Sequence, residues 1–248
     1  MVRNKIVINS NFNIVGVVPN RKEILTKEWI DYRMELFMEY TLQSFKIQTN
    51  QDFIYLIKYE GCTEDIIKNA LSRYDKLPNN IHFVKNNEFK HKAMENIDDY
   101  DYIYLTRIDC DDMCHKSYVQ QLYDFIPKKD TKVLVNQNGY IYNSVENNLL
   151  KISYLYPPLY TLIYSKKEMK YRLNKNKYTI PAGHIPFFYL KHELLPNYNY
   201  IWHIHSKNTL NPYKRLSDGY GLDINLNNLI TDSSQISKIL ENFIGPVI

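Results

Sequence analysis

The most restrictive feature of the chain is a β-prone hydrophobic run, from Tyr102 to Leu105, with the carboxylates Asp109, Asp111 and Asp112 shortly after it. Aromatic and branched residues favour strands, and the run is long enough for a buried one. A helical pattern begins soon after the carboxylates and ends at Pro127. The carboxylates are therefore expected in a turn at the carboxyl end of a buried strand, which is where open α/β sheets bind ligands.

The spacing of these carboxylates favours a bound cation. Extended residues two apart point the same way, at roughly 6.5–7 Å between Cα atoms. A bend would let Asp109 and Asp111 converge on one hard cation, which prefers oxygen ligands. Without a counter-ion the three carboxylates would raise one another's pKa, and Arg107 offers only local relief. The alternative is that Asp111 and Asp112 are ordinary turn and helix-start residues.

Composition excludes several classes of protein. The 248 residues are 44% hydrophobic and 23% charged, which is typical of a globular protein. The net charge is only +4 and is scattered, so neither a nucleic-acid partner nor a membrane surface is expected. Three cysteines (Cys62, Cys110 and Cys114) without framework spacing indicate a reducing, cytoplasmic setting. No apolar window is long enough to span a membrane.

The first half of the chain alternates strands and helices. Strands are expected at Lys5–Asn9, Phe53–Ile57 and Ile81–Val84 before the Tyr102 run, with helices over Thr26–Gln48, from Thr63 toward Pro78, and briefly after Lys92. Such alternation predicts an α/β fold with a mixed, mostly parallel sheet flanked by helices. No glycine-rich dinucleotide or P-loop fingerprint is present.

The second half has a different pattern. We expect a hairpin at Asn138-Gly139 between Lys132–Gln137 and Tyr140–Asn143, and strands at Leu159–Tyr164 and Tyr200–Ile204. A polar stretch, Asn211–Asn228, contains a segment with loop composition, Asp218–Gly221, and a last helix covers Ser234–Phe243. The chain is interpreted as one domain, 1–248, with a nucleotide-binding half, 1–127, and an acceptor-binding half, 128–248.

Two stretches resemble a known family. One is Trp29–Phe37, continuing through Ser44 to Phe53; the other is Thr106–Asp112, with His115 and Val119 beyond it. A weaker match is His205-x-x-Asn208. Together they resemble the GT-A fold of nucleotide-sugar-dependent glycosyltransferases and, more narrowly, its rhamnosyltransferase family.

This resemblance implies a GT-A-like domain that binds a nucleotide-diphosphate sugar and passes the sugar to a glycan, lipid-linked or protein acceptor. Asp109 and Asp111 fill the Asp-x-Asp motif that holds Mn²⁺ or Mg²⁺ on the diphosphate in such enzymes. His205 lies where a further metal ligand often falls. Asp112 matches an additional acidic residue of related enzymes, and either Asp111 or Asp112 could be the direct ligand.

The remaining site residues are assigned by role. Arg107, Asp109, Asn13 and Lys92 are predicted to contact the donor, although Lys92 lies in a basic stretch that would equally suit a solvated loop. An inverting transfer needs a general base beside the acceptor hydroxyl. His184 and Asp112 are the predicted catalytic residues, with Glu193 and Asp218 as further candidates for the base.

Three other functions compete with glycosyl transfer. An EF-hand read from Asp109 fails, because it would need Gly at Cys114 and Glu at Gln120. A nucleotidyltransferase would use the same sheet and metal but would favour a glycine-rich, basic loop after the first strand. A catalytically idle carbohydrate- or nucleotide-binding protein is the third alternative, since no clear base follows the acidic turn.

Overall fold

The computed structural model describes residues 2–16, 22–174, 190–206 and 222–246. The strands are β1 (Asn4–Asn11), β2 (Ile54–Tyr59), β3 (Ile81–Lys85), β4 (Tyr102–Arg107), β5 (Met113–Cys114), β6 (Val133–Val135), β7 (Asn138–Asn143), β8 (Asn148–Tyr154), β9 (Tyr160–Ser165), β10 (His192–Leu194), β11 (Tyr200–Ile204) and β12 (Leu222–Ile230). The helices are α1 (Lys27–Leu36), α2 (Leu42–Lys46), α3 (Glu64–Leu71), α4 (Phe89–Met94), α5 (Tyr118–Asp124), α6 (Lys166–Asn174) and α7 (Ser233–Ile244). A π-helical turn, Phe37–Thr41, joins α1 to α2.

The first sheet has the strand order β10-β6-β9-β4-β1-β2-β3. Its strands β1, β2, β3 and β4 are parallel, whereas β9 runs antiparallel to both β4 and β6. The predicted α/β class with a mixed, mostly parallel sheet is confirmed. We call the edge at which β1 to β4 end the carboxyl edge, and the opposite one the amino edge.

Helices cover both faces of this sheet, as the sequence pattern predicts. On one face, α1 buries Ile30 and Met34 against strand residues such as Tyr55 and Tyr104. The side chain of Thr26 caps α1 by accepting a hydrogen bond from the amide of Trp29. On the other face, α4 and α6 pack in a second cluster with Leu56, Leu105 and their neighbours. We call these the α1 face and the α4 face.

The second sheet has the order β12-β8-β7-β11-β5, and α7 packs against it. Strand β5 directly follows the acidic turn and pairs with β11. Each sheet takes strands from both 1–127 and 128–248, so the two halves of the chain are interleaved. This pairing fixes the acidic turn between the two sheets.

The prediction of a hairpin at Asn138-Gly139 is wrong. Residues Asn138–Asn143 are themselves β7, which pairs with β8 across a turn at 144–147, whereas β6 belongs to the other sheet. Gly139 serves a different purpose, because a Cβ there would lie 2.4 Å from the ring of Tyr200. The glycine lets an aromatic ring pack onto the strand instead of forming a turn.

Smaller boundaries also differ. Helix α3 ends at Leu71 and α5 at Asp124, before the prolines expected to stop them, and Thr63 makes no side-chain capping bond. The predicted loop, Asp218–Gly221, lies outside the described ranges, and the end of the polar stretch, residues 222–228, belongs to β12. Across the described ranges no helix is long and apolar enough to cross a membrane.

Candidate functional site

The acidic turn lies at the carboxyl edge, between β4 and β5, and its first two carboxylates, Asp109 and Asp111, pair with different arginines. Asp109 accepts a hydrogen bond from Arg107, with 2.8 Å between Oδ1 and Nη2. Asp111 accepts from Arg33 of α1, with 2.5 Å between Oδ2 and Nη1. The structure therefore brings Arg107, Asp109 and Asp111 together, and it adds Arg33.

His205, at the end of β11, completes the cluster on the α1 face. Its Nε2 lies 3.3 Å from Asp111 Oδ2 and 3.4 Å from Arg33 Nη1. The hydroxyl of Tyr32 lies 2.8 Å from its Nδ1. Arg33 and Asp111 keep only 14% and 13% of their side chains exposed. Burial alone would raise the pKa of Asp111, but the charge of Arg33 and the hydrogen bonds from His205 and Arg33 outweigh it and hold this pKa well below its usual range.

Asp112 is in the opposite state. It is 1% exposed, its Oδ1 accepts from the amide of His203 at 3.0 Å, and Oδ2 has no partner among the described residues. Burial, and then the charges of Asp111 and Asp109, raise the pKa of Asp112 well above its usual value. Asp112 thus connects the acidic turn to β11 through a buried hydrogen bond. A side chain closed off in this way does not meet the predicted catalytic role, because it cannot touch an acceptor hydroxyl.

A second charged group lies on the α4 face and was missed in the sequence. Lys58 of β2 is 8% exposed, and its Nζ lies 4.7 Å from the centre of the Phe89 ring. Burial, and then the nearby charge of Arg107, lower the pKa of Lys58 to about 8. A lysine at a core-facing position of an apolar strand was the only available signal, since alternation places Lys58 on the same face as Leu56.

The other two predicted donor contacts, Asn13 and Lys92, do not join the cluster at the acidic turn. Asn13 is buried, and its amide is used internally: it donates to Thr63 Oγ1 at 3.0 Å and accepts from the amide of Glu60 at 3.0 Å. Lys92 pairs with Glu95, which approaches Lys5 at the start of β1. Lys92 is therefore at the amino edge, away from the acidic turn.

The candidates for the general base are also dispersed. Glu193 accepts from the amide of Lys128 and the hydroxyl of Thr131, just before β6 begins at the amino edge. These contacts, led by the Thr131 hydrogen bond, lower the pKa of Glu193 and make it a poorer base. His184 and Asp218 lie outside the described ranges, as does Asn208 of the weakest motif.

The side chains at the turn have the right chemistry for a hard cation, but they are not arranged around one. Among the residues that the structure describes, no group of three or more His, Cys, Asp or Glu side chains is placed to hold a metal. Asp111 Oδ2 and His205 Nε2 instead converge on a guanidinium nitrogen of Arg33. A carboxylate oxygen and an imidazole nitrogen, both possible metal ligands, therefore already face one positively charged nitrogen.

An acidic turn at the carboxyl edge of a mostly parallel sheet is where enzymes of nucleotide chemistry bind their substrates. Family comparison defines the class as nucleotide-sugar-dependent glycosyltransferase. Residues 16–166, more than half of the chain, match the family described as "Putative rhamnosyl transferase". The chain belongs to this family, which confirms the resemblance found in its motifs.

The solved structures that match the chain are distant in sequence. TarS 1-349 of S. aureus in complex with UDP-GlcNAc is 11% identical over 96% of this chain and 70% of that one, with a TM-score of 0.48. A cytidylyltransferase from Leptospira borgpetersenii is 13% identical over 80% of this chain and 78% of that one, with a TM-score of 0.37. No curated protein sequence matches the chain.

Proposed function

We propose that this glycosyltransferase moves a sugar from a nucleotide-diphosphate donor to a glycan, lipid-linked or protein acceptor at the carboxyl edge of the first sheet. Rhamnose is the sugar that the family description suggests. The observation that carries the proposal is the pair of arginine–aspartate contacts, Arg33–Asp111 and Arg107–Asp109, at the end of β4.

The charges at this edge suit the chemistry of the transfer. Breaking the bond between sugar and phosphate leaves a diphosphate with additional negative charge. Guanidinium groups bind phosphate oxygens through two parallel hydrogen bonds, and they act more strongly in a site from which water is largely excluded. Arg33 and Arg107 are both mostly buried; Arg107 is the last residue of β4, and Arg33 lies in α1, the helix that leads away from the end of β1.

In the same proposal, Asp109, Asp111 and His205 hold Mn²⁺ or Mg²⁺. Carboxylates suit both ions, and imidazole suits Mn²⁺ better than Mg²⁺. The convergence of Asp111 and His205 on a charged nitrogen supports this assignment, although Arg33 must release Asp111 before both serve as ligands. Such an ion would neutralise the departing diphosphate. His184 remains the proposed base, because Asp112 is buried and Glu193 is distant.

Thermal unfolding with a panel of nucleotide sugars, each with and without Mn²⁺, tests the proposal. A donor that binds only the folded state raises the unfolding temperature, and its hydrolysis should release the nucleotide diphosphate. Release of pyrophosphate from a nucleoside triphosphate would instead indicate a nucleotidyltransferase. Binding without any cleavage would indicate a binding protein.

A further inference from the structure

Lys58 is a buried cation without an anion. Lys58 is the last residue of β2 that pairs with β1, and its side chain lies on the α4 face beside Phe89. Within the described ranges its Nζ forms neither a hydrogen bond nor an ion pair. Burying an ammonium group in this way is unfavourable, because water is lost and no counter-charge replaces it. An apolar side chain of the same length would pack there without that cost.

The nearest charge makes the position less favourable still. Arg107 of β4 is close enough to lower the pKa of Lys58, and Arg107 is itself paired with Asp109. The Arg33–Asp111 and Arg107–Asp109 pairs are each neutral, so Lys58 adds an uncompensated positive charge to the carboxyl edge. Burying the Lys58 ammonium without a counter-charge therefore destabilises the folded protein, and an anionic ligand at this position would remove that destabilisation.

Strand register shows which other groups such a ligand would meet. Strand β1 lies between β2 and β4, with Asn11 opposite Lys58 and Asn9 opposite Arg107. Asn9 donates to the carbonyl of Thr106, whereas the Asn11 amide is half-buried and without a hydrogen bond in the described ranges. Neighbouring strands are about 4.8 Å apart and the two positions are offset by two residues along β1, so the backbones of Lys58 and Arg107 are roughly 12 Å apart on either side of β1. Both side chains are long enough to reach one small ligand from opposite sides.

We infer that Lys58, Asn11 and Arg107 form a diphosphate-binding site on the α4 face of the carboxyl edge. The inference rests on the proposed function in one respect, namely that the diphosphate is that of the sugar donor. Lys58 supplies a point charge and Asn11 a neutral amide donor. Arg107 adds a second positive charge, while its Nη2 donates to Asp109 and its Nη1 to the carbonyl of Pro158. Asp109, held by Arg107, then lies next to the same diphosphate.

Binding of inorganic pyrophosphate, measured by calorimetry, tests the site without any assumption about base or sugar. Lys58→Met should weaken pyrophosphate binding roughly tenfold or more, because a charge-assisted hydrogen bond is lost from a poorly solvated position. Lys5→Met is the matched control: Lys5 is also a largely buried lysine on the α4 face, but it lies at the amino edge and donates to the carbonyl of Glu95. The Lys5→Met variant should bind pyrophosphate with the same affinity as the wild type.

Asn11→Ala provides a second variant that leaves the charge in place, and it should weaken binding by a few-fold. Circular dichroism and unfolding temperature establish that each variant is folded. Equal affinity of Lys58→Met and wild type, equal losses in Lys58→Met and Lys5→Met, or no pyrophosphate binding by wild type would each overturn the site. Lys58-dependent binding of pyrophosphate without turnover of any nucleotide sugar would support the site and contradict the donor.

Discussion

The two edges of the first sheet treat charge in opposite ways. At the amino edge, Lys170–Asp98 and Lys92–Glu95 are ion pairs between exposed or partly exposed side chains, and the buried Lys5 donates to the carbonyl of Glu95. At the carboxyl edge, Arg33–Asp111 and Lys58 are mostly or fully buried. Both edges are formed by opposite ends of the same strands, so the fold alone does not explain why the ion pairs are exposed at one edge and buried at the other.

Exposed pairs contribute little to stability, typically ~0–1 kcal/mol, and they need no further explanation. Buried charges are different, because their desolvation often exceeds the attraction they gain. The carboxyl edge therefore holds charges that an apolar core would replace without loss of stability. The proposed charged ligand would account for them, whereas the buried Lys5 at the amino edge already has a carbonyl partner.

The largest contrast between the edges should come from Asp111→Asn compared with Asp98→Asn. Removing the charge of Asp111 leaves Arg33 buried and unpaired, which should lower the free energy of unfolding by on the order of 4 kcal/mol and abolish donor turnover. Asp98→Asn should leave the free energy of unfolding almost unchanged, because its pair is exposed. Denaturant unfolding at pH 7 measures both.

The double variant Arg33→Met/Asp111→Asn separates stability from function. It removes both charges, so most of the lost stability should return, whereas turnover should not. Full turnover in either variant would contradict a role for Asp111 in the reaction. Equal destabilisation by Asp98→Asn would remove the difference between the edges.

Much of the fold was predictable because local pattern and tertiary position agree in the first half. The runs that become β1 to β4 are apolar because both of their faces are covered, and α1 carries its own cap at Thr26. Prediction failed at Gly139, where a local turn signal conflicted with a long-range contact to Tyr200. Sequence alone does not show that an aromatic ring from another strand will occupy that position.

The site was predictable in part for a similar reason. Asp109, Asp111 and His205 follow strands directly, so the topology brings them to neighbouring positions. The contact between Arg33 and Asp111 joins residues 78 apart, and no local pattern announces it. Lys58 was missed because the predicted strand ended at Ile57, whereas β2 continues to Tyr59 and the Lys58 side chain is covered by α4.

The pH dependence of stability should expose the buried charge of Lys58. Its pKa in the folded protein is about 8, against 10.5 as the usual value, so the folded protein loses this proton first as the pH rises. Wild-type stability should therefore rise between pH 8 and 10.5, relative to Lys58→Met, which has no proton to lose there. The shift corresponds to on the order of 3 kcal/mol in the difference between the two proteins.

Denaturant unfolding of wild type, Lys58→Met and Lys5→Met at pH 7 and pH 10 measures this difference. Burial also lowers the pKa of Lys5, but the charge of Glu95 opposes the shift, so Lys5→Met should show a smaller change. A difference between Lys58→Met and wild type that is independent of pH would mean that Lys58 is not a buried charge. The two edges would then be alike.

The smallest expected effect is that of Lys92→Ala. If this variant has no effect, the contrast between the amino edge and the carboxyl edge becomes sharper. Lys92 was predicted from the sequence to contact the donor, but its ammonium pairs with Glu95 at the amino edge and is partly exposed. Lys92→Ala should therefore change the free energy of unfolding by less than about 0.5 kcal/mol and leave pyrophosphate affinity unchanged. Calorimetry at low ionic strength is the most demanding measurement, because screening is then weakest and any long-range contribution of Lys92 is largest. A loss of affinity comparable to that of Lys58→Met would show that phosphate is bound at the amino edge as well.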